Sequence, residues 1–384
     1  MYPFPLFDLK RLLKTIFAPK AGEKLCILID LNNPNEVIDF AFLKNEHLSV
    51  QRMAYEIFYQ ELRKGVMQEL QLGACDFFAF ETTGGSNLEL PNIAIAPDGH
   101  AFNLDLDIYP AYEIILCITI YSATAPLTAS AKRFGFRGAT MHGLNQIILH
   151  TGLSVDYHEI SRKAEILRQG LTFADKMDIS FETEGLSSNL TIELGRQNAQ
   201  KSHGLCPTSP DVVNLPAGEV YFVPVDAYGA FPIKFEEGTL GLMQVEHGRA
   251  HTVELLRGNQ NIIDQCQAKL NSDPATGILG ELGFGTQQLP FSGSDIQDEK
   301  IFGTFHLALG RNDHLDGHVT AKHFVNPRNA THEDILFSSN KTPEIQIKRI
   351  QMDRHGKKEI LIENGQPSDY LWNLLQHDVV STWI

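Results

Sequence analysis

At 384 residues the chain is longer than one ordinary hydrophobic core, which predicts two domains, or one domain carrying a large insertion. Hydrophobic residues make up 43% and charged residues 21%, the balance of a folded chain, so extensive disorder is excluded. The formal net charge of −15, with no basic run longer than a pair, repels phosphate backbones and anionic lipid and argues against nucleic-acid and membrane partners.

Met1-Tyr-Pro-Phe-Pro is too polar and Pro-rich to open a signal peptide, and Asp8, Lys10, Arg11 and Lys14 interrupt the apolar run that follows. Leu6, Leu9, Leu12, Leu13 and Ile16 recur instead at helical spacing, as in an amphipathic helix. No stretch reaches the length that crosses a bilayer. Cys26, Cys75, Cys117, Cys206 and Cys266 are odd in number, widely scattered and without a Cys-x-x-Cys pair. That excludes a disulfide framework and a structural zinc knot, and fits reduced thiols in a cytoplasmic protein.

Residues 24–31 (KLCILIDL), 76–81 (DFFAFE) and 114–121 (IILCITIY) are short apolar runs of the kind that fill a sheet covered on both faces. The segment 50–70 carries helical periodicity, and 129–152 reads as partly helical. Strands separated by helices predict an N-terminal α/β layer with parallel strands over 1–155. Ile160, Ala164, Leu167 and Leu171 mark one more helix over 159–174. Beyond it the texture changes. Residues 177–193 and 219–224 alternate apolar and polar side chains between Gly, Asn and Ser, as antiparallel strands do. Residues 259–270 predict a helix, and 301–309, 343–350 and 358–363 further strands. The fold class expected is α/β and α+β, with a mixed or antiparallel metal-binding domain over 156–384.

The chemistry concentrates in that second half. In an extended segment residues i and i+2 face the same side, so His332 and Asp334 can address one cavity while Glu333 points away. His306, on an apolar strand, can close a set suited to zinc, cobalt, manganese or iron(II). Glu219 and Glu281 each follow a glycine, in what reads as strand edge or turn. Singly, each residue has a plain role available: a core histidine, a capping histidine, the first residue of a strand, a partner for a lysine. Their joint setting beside Gly218, Gly280, Gly283, Gly285 and Gly303 argues for a shared ion approached closely by backbone.

Asn214-Leu-Pro-Ala-Gly-Glu219-Val, Gly280-Glu-Leu-Gly-Phe-Gly-Thr286, Asp298-Glu-Lys-Ile-Phe-Gly-Thr-Phe-His306-Leu-Ala-Leu-Gly and His332-Glu-Asp334 resemble, in order, the motifs of the thermophilic-type metallo-aminopeptidases, the aminopeptidase T and S family of leucyl aminopeptidases. Asn189-Leu-Thr-Ile-Glu-Leu-Gly-Arg196 resembles a hairpin of the same family. The resemblance covers about 150–340 and continues loosely at Pro19 to Asp30. It implies two divalent ions, zinc or cobalt with manganese or iron as options, held by Glu219, Glu281, His306, His332 and Asp334, with Glu299 as a sixth contact. It further implies a homodimer that hydrolyses N-terminal residues from short peptides, a metal-held water attacking the carbonyl and Glu281 passing the proton.

One position departs from that pattern. The family carries a tyrosine seven places after the strand histidine, and here Asp313 stands there, in Gly310-Arg-Asn-Asp-His-Leu-Asp-Gly317. His314, His318, Tyr221 and Tyr228 are candidate replacements. The alternative is a dihydroxypyridine ring-cleaving dioxygenase, a type similar to these aminopeptidases that binds one iron(II) through two histidines and an aspartate; His306, His332 and Asp334 meet that requirement. A metal-binding scaffold without catalysis is a third possibility. Elsewhere, Gly84-Gly85 reads as a plain loop, Gly185 to Asn189 as a hairpin turn, and His142 and His150 as helix-spaced surface or capping residues. Trp372 and Trp383 suggest a C-terminal helix that docks on the body or on a partner.

Overall fold

The computed structural model describes residues 4–376. Trp383 and Ile384, which the sequence suggested as docking residues, lie outside the described residues. In chain order the strands are β1 (Lys24–Leu31), β2 (Ala74–Glu81), β3 (Ile93–Ile95), β4 (Ala101–Asn103), β5 (Ile114–Thr119), β6 (Arg137–His142), β7 (Lys176–Thr183), β8 (Leu186–Glu193), β9 (Gln200–Ser202) and β10 (Asp211–Asn214). They continue with β11 (Glu219–Phe222), β12 (Asp226–Lys234), β13 (Leu240–Glu246), β14 (Arg249–Arg257), β15 (Leu279–Gly285), β16 (Phe305–Gly310), β17 (His332–Phe337), β18 (Ile345–Arg354), β19 (Lys357–Glu363) and β20 (Gln366–Pro367). The mixture of helices with parallel and antiparallel strands is the α/β and α+β class expected.

The chain divides into two compact units. One takes the chain up to Ser161 with His203–Ala217 and Ser294–Gln297; the other takes Arg162–Ser202, Gly218–Gly293 and the chain from Asp298 onward. The helix Tyr157–Leu171 straddles the division.

The first unit is built on one seven-stranded sheet in the order β10-β6-β5-β1-β2-β3-β4. Its first five strands pair in parallel, and β3 and β4 add antiparallel at the edge. The continuous apolar run of β1 follows from burial on both faces: Leu25, Ile27 and Ile29 enter one core, Cys26 and Leu28 the other. The leading helix Leu9–Phe17 starts where the Asp8 carboxylate accepts from the Arg11 backbone N–H at 2.9 Å. It buries Leu9, Leu12, Leu13 and Ile16, and stops at Ala18, whose φ of 44° is left-handed. Leu6 precedes this helix and is 88% exposed, so it does not belong to the apolar stripe.

The partly helical reading of 129–152 holds at its two ends, and a strand lies between them. The helix Thr124–Phe134 ends at Gly135, and β6 follows as an inner strand between β5 and β10. An inner parallel strand is buried on both faces and shows no period-two signal. A Cβ at Gly138 would come within 3.1 Å of Leu127 and 3.3 Å of Val212, so the sheet needs a small residue there. His142 therefore ends a strand while His150 ends the short helix Gln146–His150, and the two share no helix face.

The second unit has two sheets, a five-stranded one ordered β17-β16-β15-β11-β9 and an eight-stranded one ordered β14-β13-β12-β8-β7-β18-β19-β20. The β7–β8 hairpin turns on Glu184 and Gly185, both at positive φ, the geometry that matches strand twist. Side chains of both sheets share a core, where Phe305 and Phe337 stack at 4.7 Å and Phe181 lies 5.3 Å from Phe337. Phe305, Leu307 and Leu309 of β16 point into this core. By strand alternation His306 and Ala308 point to the opposite face.

Candidate metal centre

The face of the five-stranded sheet that turns away from the core carries the acidic and histidine residues. Glu219 opens β11, Glu281 lies inside β15, His306 inside β16, and His332 with Asp334 on β17. Glu281 is thus not at a turn, as its glycine neighbours suggested, but buried in mid-strand. Pairing sets the layout: Ala308 is the cross-strand partner of both Glu281 and Asp334, so two carboxylates flank one methyl group. Gly283 pairs with His306, and a Cβ there would meet the imidazole at 2.1 Å. The ring lies over that glycine, so the Gly in Glu-Leu-Gly is a requirement of the site.

The two Glu281 oxygens separate the two histidines. Oε1 is 3.4 Å from His306 Nε2, and Oε2 is 3.0 Å from His332 Nε2. His332 Nε2 also lies 3.2 Å from Asp334 Oδ1, and His306 Nε2 lies 3.6 Å from Glu219 Oε2. On its far side His332 Nδ1 is 2.6 Å from the carbonyl of Arg311. A carbonyl only accepts, so Nδ1 carries the proton and Nε2 is turned to the carboxylates, as in a ligating histidine held by a backbone oxygen.

Three sets bring one ligand atom from each member within 4.8 Å of one another: Glu219, Glu281 and His306; Glu281, His332 and Asp334; Glu299, His306 and Asp334. Metal–ligand bonds of about 2.0–2.2 Å imply donor-to-donor edges of roughly 3–3.5 Å, which the observed separations approach. The donors fit a divalent ion. All six residues proposed from sequence meet here, with Glu281 and not His306 completing the set around His332 and Asp334. Asp334 keeps 29% of its side chain exposed, whereas Glu219, Glu281 and His306 are buried. A cavity of about 480 Å³ lies along β17, the terminal strand of its sheet; Leu309, Glu333 and Ile335 line it from the face opposite the donors, and Asp334 alone of the six borders it.

Charge is concentrated here. Burial alone would raise the Glu281 carboxyl, but hydrogen bonds from His306 and His332 outweigh it and hold the group well below the usual range. Burial works against charge on His306 too, yet Glu281, Glu299 and Glu219 push it up to about 9. His332 is raised likewise, against burial, by Asp334 and Glu281. Glu299 differs: burial, helped by Asp334 and Glu219 and opposed by Lys300, pushes it up to about 8. Lys300, 1% exposed, places Nζ 2.7 Å from Glu219 Oε1 and also pairs with Glu299.

The loop after β16 covers part of this face. Asn312 closes it by accepting from the Val319 N–H at 2.8 Å. Asp313, in the expected tyrosine position, is taken up by Arg311, with Nε to Oδ1 at 2.7 Å. His314 packs edge-on to His332 at 4.8 Å, its Nδ1 buried and without a hydrogen-bond partner, and burial with the nearby His332 lowers it to about 3. Of the other candidates only Tyr221 shares the donors' sheet face, two residues after Glu219 and paired across strands with Gly283. His318 is exposed, Tyr221 donates to Gln200 at 3.3 Å, and Tyr228 donates to Glu193 at 2.7 Å on an exposed stretch of β12.

No family model matches the chain, and no curated protein does. Among solved structures, the 2,5-dihydroxypyridine dioxygenase of Pseudomonas putida is similar over 94% of this chain and 95% of its own, with a TM-score of 0.59. Sequence identity is 12%, so the likeness is one of fold. Among the described residues no helix is long and apolar enough to cross a membrane.

Lys300 is the buried charge that the motifs left without a role, and Gly283, one of the glycines expected to let backbone approach the ion, instead makes room for the His306 ring. Lys300 had a signal, a lone lysine between a ligand-type glutamate and the apolar pair Ile301-Phe302. Gly283 stands two residues after Glu281, on the same strand face.

Proposed function

We propose that the chain is a metal-dependent enzyme that holds one iron(II) through Glu281, His332 and Asp334 and opens a dihydroxylated aromatic or N-heteroaromatic ring with dioxygen. The observation that carries this reading is the set itself: one imidazole and two carboxylates within 4.8 Å, His332 locked from behind by Arg311, and the Asp334 side partly open. Glu281 stands here where the dioxygenase type has a second histidine, and three protein ligands still leave coordination positions for a substrate oxygen and dioxygen. The fold shared with a 2,5-dihydroxypyridine dioxygenase supports the same choice. Bound there, iron(II) supplies the one-electron chemistry that dioxygen requires.

The protein's own groups have definite tasks in this reading. Arg311 O fixes the His332 ring. Glu299, close to Asp334 and paired with Lys300, is placed to take or give a proton at its carboxyl oxygen.

A second reading, the two-metal aminopeptidase, draws support from one feature: the Glu219–Glu281–His306 set shares Glu281 with the first. In it Glu281, with one oxygen toward each histidine, serves as a bridge and Glu299 is the better-placed proton carrier. Protein purified without chelator and loaded with iron(II) under argon separates the two. Oxygen uptake with 2,5-dihydroxypyridine, and no amino acid released from leucyl peptides, is expected. Peptide hydrolysis that depends on two ions per chain would overturn the dioxygenase reading.

A further inference from the structure

Lys300 is the buried charge for which neither reading has a use. Its ammonium is 2.7 Å from Glu219 Oε1 and paired with Glu299, inside a cluster that also holds Glu281 and Asp334. Four carboxylates so close demand compensating positive charge, and a lysine 1% exposed is tolerated only when so paired. The backbone that carries it is clamped. The Gln287 N–H donates to Lys300 O at 2.8 Å, and a Cβ at Gly285 would strike Ile301 O at 2.1 Å and Lys300 C at 2.6 Å. Gly285 is the cross-strand partner of Glu219, so this contact delivers the lysine to that carboxylate.

We infer that Lys300 stands in for a second metal ion: its ammonium occupies Glu219 and Glu299 and so closes the Glu219–Glu281–His306 set to a cation. The inference rests on the single-ion reading and gives its structural cause. Glu219, Glu281 and His306 are sufficient in number and type to hold a divalent ion. The ammonium on Glu219 Oε1 repels that ion and neutralises the carboxylate, leaving only Oε2 turned to His306. Without the ammonium the set is free, and an ion there shares Glu281 with the ion at His332 and Asp334.

Manganese(II) is the probe, with binding followed by equilibrium dialysis and electron paramagnetic resonance. Wild-type protein should bind one ion with the spectrum of an isolated site, any second ion binding at least ~100-fold more weakly. Lys300→Met should bind two, with the exchange-coupled spectrum of ions sharing a carboxylate. Lys300→Arg, which keeps the cation, should bind one. The double variant Lys300→Met/Glu299→Gln removes both halves of the buried pair, leaves the three ligands intact, and should also bind two if the single variant fails to fold. One ion in wild type and still one in the Lys300→Met variants overturns the role given to Lys300 and leaves the single-ion reading standing. Two ions in wild type with comparable affinity overturn both.

Discussion

Asp30 and Glu281 are both buried carboxylates on strands, one in each unit, and their surroundings are opposite. Asp30 accepts from the Ile120 N–H at 3.0 Å, from Gln51 Nε2 at 2.9 Å and from Thr82 Oγ1 at 3.2 Å, all neutral donors. Burial prevails there and raises its pKa. Glu281 faces two histidines within 3.4 Å, and its pKa is driven down. A carboxylate met by amides and hydroxyls ties strands together, whereas one met by imidazoles and further carboxylates awaits a cation. Depth of burial does not separate the two; the chemistry of the partners does.

The contrast breaks most readily at the histidines. His332→Ala should lower iron(II) or manganese(II) affinity by at least ~100-fold, since loss of a ligand costs more than loss of the groups that orient it. Equilibrium dialysis reads this directly, and unchanged affinity would remove His332 from the ligand set and with it the cation that Glu281 is said to face. Gly283→Ala comes next. The added methyl group meets the His306 ring at 2.1 Å, so the ring must move, at about 1–3 kcal/mol of stability. Urea denaturation should show that loss, and metal titration should show weaker uptake.

Asp30→Ala should cost about 1–3 kcal/mol by leaving the Ile120 N–H without its acceptor and Gln51 Nε2 with the residue-30 carbonyl alone. Metal content should not change, and a fall would show that the two carboxylates are not separate in kind. The smallest effect belongs to the half-exposed Glu165. Arg168 outweighs burial, with help from Lys201 and Gln169, and holds Glu165 down at about 2. A depressed carboxylate stabilises above its unfolded pKa and loses that contribution as pH falls through the folded one. Glu165→Gln should therefore cost about 0.5 kcal/mol near neutrality, discounted for exposure, and the deficit should fade between about pH 4.5 and 2 in paired denaturation curves.

The ligand-bearing segments were legible in the sequence because their residue types are improbable companions on apolar strands. His306 sits between Phe305 and Leu307, and His332 and Asp334 share a face through the period of two. The strand 24–31 was legible for a simpler reason, an apolar run with both faces buried. The inner strand β6 was not, because Arg137-Gly-Ala-Thr-Met-His142 is small and polar for a buried strand and takes its conformation from β5 and β10 on either side. How the ligands group was hidden as well. That Glu281 joins His332 and Asp334, while His306 leans toward Glu219, depends on register across four strands. Lys300 escaped notice because its carboxylate partner on β11 lies 81 residues earlier, 300 − 219, and is reached only through the packing at Gly285.

The central claim is that Glu281, His332 and Asp334 hold one working ion. Anomalous diffraction at the iron edge, from crystals loaded with iron(II) under argon, tests it most directly. One peak is expected, about 2.0–2.2 Å from Glu281, His332 Nε2 and Asp334. Two peaks bridged by Glu281, or one peak seated at Glu219 and His306 and clear of His332, would contradict the account.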